Sequence, residues 1–266
     1  MSTPEAILCI DLDGTLLDPQ EKIHSQDIKI LENFPDKIQP VITTGRNINS
    51  TISVFYQNGL NKFRVLPWPG VFMNGGAGFL PEEKCIIRHC FTEKLRRELV
   101  SLTFAFTKSS FAFFTINAVH LVNPNSFSKY IDRIHYLNAI ETLAWDIPDE
   151  IIKLMILEQD PDVLRTIQKE TLGWKAEMGY TLPYAYEINP AGITKANTLV
   201  TLLEALNLSK IPIFVTGDAD NDLSLFALAQ KSFAPSSAHK AVRERAGRII
   251  HRKYCGLLTP ILQELN

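Results

Sequence analysis

The run Asp11 to Thr15 (DLDGT) holds two aspartates directly after the apolar stretch Ala6 to Ile10. A carboxylate can attack phosphorus and form an aspartyl-phosphate, and a second carboxylate can protonate the leaving oxygen and later activate water. The glycine allows close approach of the backbone, and the threonine offers a hydroxyl and an amide to a phosphate group. The run is therefore suited to phosphoryl transfer, with Asp11 as the candidate nucleophile and Asp13 as the candidate general acid and base.

Other polar groups follow two further predicted strands. The segment Thr43 to Arg46 follows one apolar run, and the acidic segment Gly217 to Asp222 follows another. Ligands bind beyond the carboxyl ends of the strands in open parallel sheets, so both segments are expected to lie close to Asp11. Carboxylates that converge there can bind one hard cation, and Mg²⁺ takes oxygen ligands from protein, water and phosphate.

Two further side chains in this pattern can hold a phosphoryl group. Thr44 offers a hydroxyl, and Lys195 lies just inside the N-terminus of a predicted helix, where its charge can neutralise the transferring group. Aspartate-rich loops at strand ends often only cap helices or form turns, so each motif alone is weak. Together, in this order and on a chain whose strands and helices alternate, the motifs are a strong indication of a phosphoryl-transfer site.

The elements that must position these residues alternate between strands and helices. Apolar runs such as Ile38 to Thr43 and Ile213 to Thr216 alternate with amphipathic helices, which indicates a parallel sheet with helices on both faces. Between residues 80 and 186 the pattern changes to β-rich runs mixed with helices. We therefore predict a Rossmann-like α/β core, residues 1–79 and 187–266, with an inserted α+β domain at 80–186 of ordinary size.

Composition narrows the class of partner. The 266 residues are 45% hydrophobic and 21% charged, with a formal net charge of −2, which is typical of a globular protein. This balance predicts neither a nucleic-acid footprint nor a basic membrane patch. The first residues lack the basic start and long apolar stretch of a signal peptide. We expect a cytoplasmic protein that binds a small phosphorylated metabolite, and the sequence does not predict its oligomeric state.

Two charged features are predicted to be structural. Lys153 is an isolated charge in an apolar strand, and we interpret it as an edge charge that discourages pairing with another chain. Contact with substrate is the alternative. The basic residues between Arg243 and Lys253, Arg252 among them, are predicted to form a solvated face.

Taken together, these motifs resemble those of the haloacid dehalogenase superfamily of phosphatases, in particular the Cof-type branch with a class II cap. The resemblance covers essentially the whole chain. It rests on the segments Asp11 to Leu17, Ile42 to Arg46, Asn74-Gly75, Gly192 to Lys195, and Gly217 to Asp222. The chain departs from the pattern at two positions, with Ala196 where glycine is usual and Phe226 where methionine is usual, and neither change removes a reacting group.

The resemblance implies a role for each matched residue. Asp11 would be the nucleophile and a metal ligand, Asp13 the acid and base, and Thr44 and Lys195 would hold the phosphoryl group. The implied metal ligands are Asp11, Asp13 through its backbone carbonyl, Asp218 and Asp222, with Asp222 also orienting lysine and metal waters. The implied substrate-binding residues are Gly14, Thr15, Gly45, Arg46, Asn74 and Asn221. The inserted domain would be the class II cap.

The expected function is Mg²⁺-dependent hydrolysis of a small phosphate monoester, with a sugar phosphate as the leading class, through an aspartyl-phosphate. One alternative is a phosphomutase of the same fold, similar to phosphomannomutase, because the core motifs barely separate transfer to water from transfer to a sugar hydroxyl. A second alternative is a protein that binds a phosphorylated metabolite without catalysis. The intact pair of Asp11 and Asp13 argues against that alternative.

Overall fold

Two compact units make up the computed structural model of the chain, which describes residues 3–265. The first unit contains the residues up to Ile87 and those from Thr194 onward, and the second unit runs from Arg88 to Ile193. In the sequence, the second unit is therefore an insertion into the first.

The opening part of the first unit folds into strands and helices joined by short turns. In chain order these are β1 (Ala6–Ile10), α1 (Ser25–Glu32), β2 (Ile38–Thr43), α2 (Ile48–Gln57), β3 (Gly70–Phe72), β4 (Ala77–Leu80) and β5 (Lys84–Arg88). A wide helical turn at Leu12–Leu16 follows β1, and short 3-10 turns lie at Met73–Gly75 and Pro81–Glu83. Asn47 starts α2 because its side-chain oxygen accepts the backbone N–H of Ser50 at 2.7 Å.

The second unit has its own sheet and three helices. In chain order its elements are α3 (Glu93–Ala105), β6 (Ser110–Phe114), β7 (Val119–Val122), α4 (Ser126–Ile134), β8 (Ile140–Glu141), a 3-10 turn (Ala144–Asp146), β9 (Lys153–Leu157), α5 (Pro161–Glu170), β10 (Ala176–Leu182) and β11 (Ala185–Pro190). Each helix begins after a capping side chain that accepts a backbone N–H of the first turn, namely Thr92, Asn125 and Asp160.

The closing part of the first unit returns to alternating helices and strands. In chain order its elements are α6 (Lys195–Ala205), β12 (Ile213–Thr216), a 3-10 turn (Asp220–Asp222), α7 (Leu223–Phe226), β13 (Lys231–Pro235), α8 (Lys240–Arg245), β14 (Arg248–Ile250), α9 (Arg252–Cys255) and α10 (Leu258–Leu265). Across residues 3–265, none of the helices is both long enough and apolar enough to cross a membrane.

The sheet of the first unit explains where the functional segments meet. Its strand order is β14-β13-β12-β1-β2-β3-β4-β5, so β1 lies between β12 and β2. Strands β14 to β3 are parallel to one another, and β4 is antiparallel to β3. All five residues of β1 are buried, as expected of a central strand covered on both faces. The predicted α/β fold class is confirmed.

The two units divide at positions different from those that the sequence predicts. β4 and β5 extend the first sheet at one edge, so residues 80–87 stay with the first unit. β11 pairs with both β9 and β10, so residues through Pro190 belong to the second sheet. The predicted boundary at 79/80 falls inside β4 and that at 186/187 falls inside β11, because a local pattern does not reveal a strand's partners.

Strand pairing also decides the position of Lys153. The second sheet has the order β10-β11-β9-β6-β7-β8, so β9 lies between two strands and the edge interpretation of Lys153 is wrong. Its side chain is buried in an ion pair with Glu187, and its ammonium group lies 5.2 Å from the centre of the Phe114 ring. A buried charge requires such a partner because loss of hydration is costly.

A buried carboxylate in α1 holds the start of the last helix. Both oxygens of Asp27 accept backbone N–H groups, from Leu257 and Leu258, each at 2.8 Å. A Cβ atom at Gly256 would lie 2.4 Å from one of these oxygens, so the backbone there passes close to the carboxylate. Burial raises the pKa of Asp27, and the two N–H groups oppose that shift.

We expect Asp27→Ala to lower the free energy of unfolding by about 2 kcal/mol, because two buried N–H groups lose their acceptor. Asp27→Asn should cost less, since its amide oxygen can still accept one bond. Chemical denaturation of both variants measures the effect, with the exposed neighbour Gln26→Ala as the matched control on the same helix. Equal stability of Asp27→Ala and the control would contradict the capping role.

Candidate active site

Asp11 is fixed where two neighbouring parallel strands end. It is 4% exposed and follows the buried strand β1. Its N–H donates to the hydroxyl of Thr216, the last residue of β12, at 3.2 Å, and that hydroxyl in turn donates to the carbonyl of Cys9 at 3.3 Å. The carboxyl ends of β1 and β12 are therefore joined at the position of Asp11.

The turn after Asp11 requires a glycine. Gly14 has φ +73°, which favours glycine, and a Cβ atom there would lie 2.1 Å from a carboxylate oxygen of Asp218. Thr15 donates its hydroxyl to the other oxygen of Asp218 at 3.2 Å. The close approach of Gly14 and this hydrogen bond bring the predicted metal ligand Asp218 against the nucleophile loop.

Lys195 is the buried cation of the site. It is 2% exposed, and its Nζ donates to Oδ1 of Asp11 at 2.8 Å and to Oδ1 of Asp222 at 2.7 Å. Burial alone would lower the pKa of Lys195, but the two carboxylates outweigh it and raise that pKa. Lys195 therefore stays charged. Thr194 caps the helix by accepting the N–H of Asn197 at 3.2 Å, which fixes Lys195 as the first helical residue.

Asp222 is held on both of its oxygens. While Oδ1 accepts from Lys195, Oδ2 accepts the backbone N–H groups of Asp218 at 3.0 Å and of Ala219 at 3.2 Å. Asp222 is fully buried. These bonds fold the loop after β12 around its carboxylate, so the loop and the lysine are positioned together.

Three carboxylates could hold a metal ion. Asp11, Asp218 and Asp222 each offer an oxygen atom, and these atoms lie within 4.8 Å of one another. Burial, then the nearby charge of Asp222, raises the pKa of Asp218 to about 6. The same two causes raise the pKa of Asp11, against the opposing effect of Lys195. A hard divalent cation would offset this crowding of negative charge, and an all-oxygen donor set suits Mg²⁺. The residues therefore fit such an ion.

Arg46 binds the second aspartate of the motif. Its Nε lies 2.9 Å from Oδ2 of Asp13 and its Nη2 lies 2.6 Å from Oδ1, a two-point contact. Nη2 also donates to Glu21 at 2.7 Å, and the backbone N–H of Arg46 donates to the hydroxyl of Thr44 at 3.1 Å. Burial would lower the pKa of Arg46, but the carboxylates of Asp13 and Glu21 outweigh it and raise that pKa.

A hydrogen bond between two asparagine side chains joins the loop after β3 to the loop after β12. Oδ1 of Asn74 accepts from the side-chain amide of Asn221 at 3.0 Å, and a Cβ atom on Gly45 would lie 2.9 Å from that same oxygen. The N–H of Asn74 donates to the carbonyl of Thr44 at 3.2 Å. Every predicted site residue thus lies in the first unit, but Asp13 contacts Arg46 whereas Asp11 contacts Lys195.

Sequence reasoning missed three residues at this site: Glu21, Thr216 and Arg252. Arg252 donates to the carbonyl of Thr15 and, at 2.8 Å, to that of Leu17, so its predicted place on a solvated face is wrong. Glu21 and Arg252 carry charges that are ordinary on a surface, so nothing local distinguishes them. Thr216 could have been found as the polar residue that ends an apolar strand.

The fold and the acidic strand-end site define a class of hydrolases, and the sequence agrees. The profile of the haloacid dehalogenase-like hydrolases matches residues 8–254, so the chain belongs to this family. Within the family it is a Cof-type phosphatase, a phosphoric monoester hydrolase. The predicted family and enzyme class are confirmed.

The three relatives described next are distant, but each match covers most of both chains. The chain is 23% identical to the 5-amino-6-(5-phospho-D-ribitylamino)uracil phosphatase of Bacillus subtilis, a match that covers 91% of this chain and 88% of the relative. A crystal structure from Thermotoga maritima superposes with a TM-score of 0.81 at 22% identity, covering 98% of this chain and 97% of that one. A sugar phosphatase of haloacid dehalogenase subclass IIB superposes with a TM-score of 0.73 at 20% identity, covering 92% of each chain.

We expect Gly14→Ala to lower phosphatase activity at least tenfold, because the new methyl group must displace the carboxylate of Asp218. Gly59→Ala is the matched control: Gly59 also has a positive φ, +84°, but nothing lies within 4 Å of the added Cβ atom. Both variants should lose about 1 kcal/mol of stability from backbone strain, and only Gly14→Ala should lose activity. Equal activity of the two variants would contradict the importance of the close approach.

Proposed function

We propose that the chain is a Mg²⁺-dependent phosphatase that hydrolyses a small phosphate monoester, with sugar phosphates as the leading class, through an aspartyl-phosphate on Asp11. The observation that carries this proposal is the buried ammonium group of Lys195, bound at once to Asp11 and Asp222. It supports a preformed site for negative charge beside a carboxylate at a strand end.

In the first step the Asp11 carboxylate attacks phosphorus. The bond between phosphorus and the alcohol oxygen breaks, and Asp13 donates its proton to that leaving oxygen. Since Lys195 binds Oδ1 of Asp11, Oδ2 is the candidate attacking atom. In the second step Asp13 takes a proton from water, the water oxygen bonds to phosphorus, and the bond from phosphorus to Asp11 breaks. Inorganic phosphate leaves and both aspartates return to their starting forms.

Mg²⁺ would be held by the carboxylates of Asp11 and Asp218 and by the backbone carbonyl of Asp13. When bound, it supplies positive charge that offsets the negative charge of the phosphoryl oxygens. We assign Asp222 a supporting part in this site, because its two oxygens already accept from Lys195 and from two backbone amides. It lies close enough to the other two carboxylates to orient what they bind.

The phosphoryl group would be held by Lys195 and Thr44 with the predicted substrate-binding residues Gly14, Thr15, Gly45, Asn74 and Asn221. For Arg46 we favour the positioning of Asp13, since its side chain is 6% exposed and its guanidinium group already contacts two carboxylates. Two of the relatives support the substrate class: one is a phosphatase of a phosphoribityl compound and one is a sugar phosphatase.

We further propose that the second unit is the class II cap, the part that distinguishes one phosphate ester from another. The expectations of a cytoplasmic location and of a small phosphorylated metabolite as the partner belong to the same proposal. Product analysis separates the proposal from the phosphomutase alternative: hydrolysis releases inorganic phosphate, whereas a mutase returns an isomeric sugar phosphate.

We expect Asp11→Asn to reduce turnover of 4-nitrophenyl phosphate at least a thousandfold while the fold persists, because the amide has the shape of the carboxylate but cannot form the covalent intermediate. Steady-state kinetics and thermal unfolding measure the two effects. Asp220→Asn, an exposed aspartate in the acidic loop, is the matched control and should keep its activity. Substantial activity of Asp11→Asn in contaminant-free preparations would refute the nucleophile assignment.

Removal of divalent cations by chelation should abolish turnover, and added Mg²⁺ should restore it. Mg²⁺ should also raise the thermal unfolding temperature of the wild-type protein, since a ligand that binds only the folded state stabilises it. Asp218→Asn should lose most of that rise, because it removes one charged ligand from the acidic cluster. Full activity after thorough chelation, or an undiminished rise in Asp218→Asn, would rule out the proposed metal site.

A further inference from the structure

A carboxylate outside the sequence motifs reaches the active site from a short turn. Glu21 lies in the turn between Leu17 and Ile23, which face each other in an isolated antiparallel bridge. Its backbone has φ +58° and its N–H donates to the carbonyl of Asp18 at 2.9 Å. Its side chain is 17% exposed and accepts from Nη2 of Arg46 at 2.7 Å.

The turn that presents Glu21 is tied to helix α2. The side-chain amide of Asn58, the residue that ends α2, donates to the carbonyl of Glu21 at 2.9 Å. The side-chain oxygen of Asn58 accepts the N–H of Ile23, also at 2.9 Å. These two bonds hold the backbone on both sides of Lys22, so the Glu21 carboxylate is presented from a fixed turn.

Arg46 connects Glu21 to Asp13. One guanidinium nitrogen, Nη2, donates to both carboxylates, at 2.7 Å to Glu21 and at 2.6 Å to Asp13. A third bond, from Nη1 to the hydroxyl of Ser50 at 3.2 Å, fixes the opposite side of the guanidinium group. Because the group is planar, these bonds determine which edge faces Asp13.

Asp13 depends on this edge for its orientation. Its side chain is 53% exposed, so packing does little to hold it, whereas the side chain of Arg46 is only 6% exposed. The two-point contact from Nε and Nη2 therefore constrains where the carboxylate of Asp13 points. Removing Glu21 would take away one of the acceptors that fix the guanidinium group and so loosen its hold on Asp13.

We infer that Glu21 is a positioning residue for catalysis: it orients Arg46, which fixes the place of the Asp13 carboxylate. A protonated Asp13 keeps one of the two contacts to Arg46 while its other oxygen carries the proton for the leaving group. The inference rests on the proposed function, in which Asp13 is the general acid. The loss of Glu21 should then lower the hydrolysis rate most for those esters whose leaving oxygen most needs that proton. An ester with a poor leaving group needs it, whereas one with a stable leaving anion hardly does.

Two aryl esters of similar shape test this inference in the intact protein with Mg²⁺. 4-Nitrophenyl phosphate releases a stable anion, and phenyl phosphate releases a more basic one. In Glu21→Ala we expect the ratio of kcat/KM for the nitrophenyl ester to that for the phenyl ester to rise about tenfold above the wild-type ratio. Glu21→Gln keeps an uncharged acceptor for Nη2, so its ratio should rise by about threefold. Gln20→Ala, exposed in the same turn, should keep the wild-type ratio.

The ratio is insensitive to partial unfolding, because a smaller folded fraction lowers both rates equally. Thermal unfolding of each variant is measured as well. If Glu21→Ala does not fold, the comparison is made with Glu21→Gln. Equal losses on both esters would overturn the inference and leave Glu21 a structural residue. The failure of the proposed function looks different: the wild-type protein would hydrolyse neither ester in a Mg²⁺-dependent way.

Discussion

The ammonium group of Lys195, buried between Asp11 and Asp222, is the interaction on which the site depends. A buried charge is tolerated only where its partners are in place, because desolvation of an unpaired ion costs several kcal/mol. Its partners come from the end of β1 and from the loop after β12, and Lys195 itself begins α6. Asp11 and Lys195 are 184 residues apart in the sequence, so this ion pair forms only when the two parts of the first unit have assembled.

Hydrogen bonds to the backbone fix the loops that surround Lys195. Asp222 uses its second oxygen to bind two amides of its own loop, and the hydroxyl of Thr216 joins the carboxyl ends of β1 and β12. On the other side, Arg252 donates to carbonyls within the nucleophile loop. The loops that carry the proposed chemistry are therefore held by hydrogen bonds to their main-chain groups.

Local patterns predict the parts of this arrangement that coincide with the ends of elements. Asp11 and Asp218 follow apolar strands of one parallel sheet, so the parallel-sheet rule is enough to bring these two together. Lys195 is recognised as the first residue of a predicted helix. Local patterns do not predict contacts between side chains that are far apart in the sequence. Lys153 looks like an edge charge until β9 is seen between β11 and β6, and Glu21 looks like a surface acid until Arg46 reaches it. The observed domain boundaries differ from the predicted ones for the same reason: the strands with which β4, β5 and β11 pair decide to which sheet each of them belongs.

The two aspartates of the first motif are held in different ways, and this difference separates two parts of the proposed chemistry. Asp11 is buried against a buried lysine, so its position follows from the core of the first unit. Asp13 is half exposed and is oriented by Arg46, itself bound to a residue of a surface turn. Attack on phosphorus would then depend on the core, whereas proton transfer to the leaving oxygen and from the incoming water or alcohol would depend on the contacts of Asp13. Transfer to water and transfer to a sugar hydroxyl use the same nucleophile and the same acid and base, which is why core motifs barely separate them.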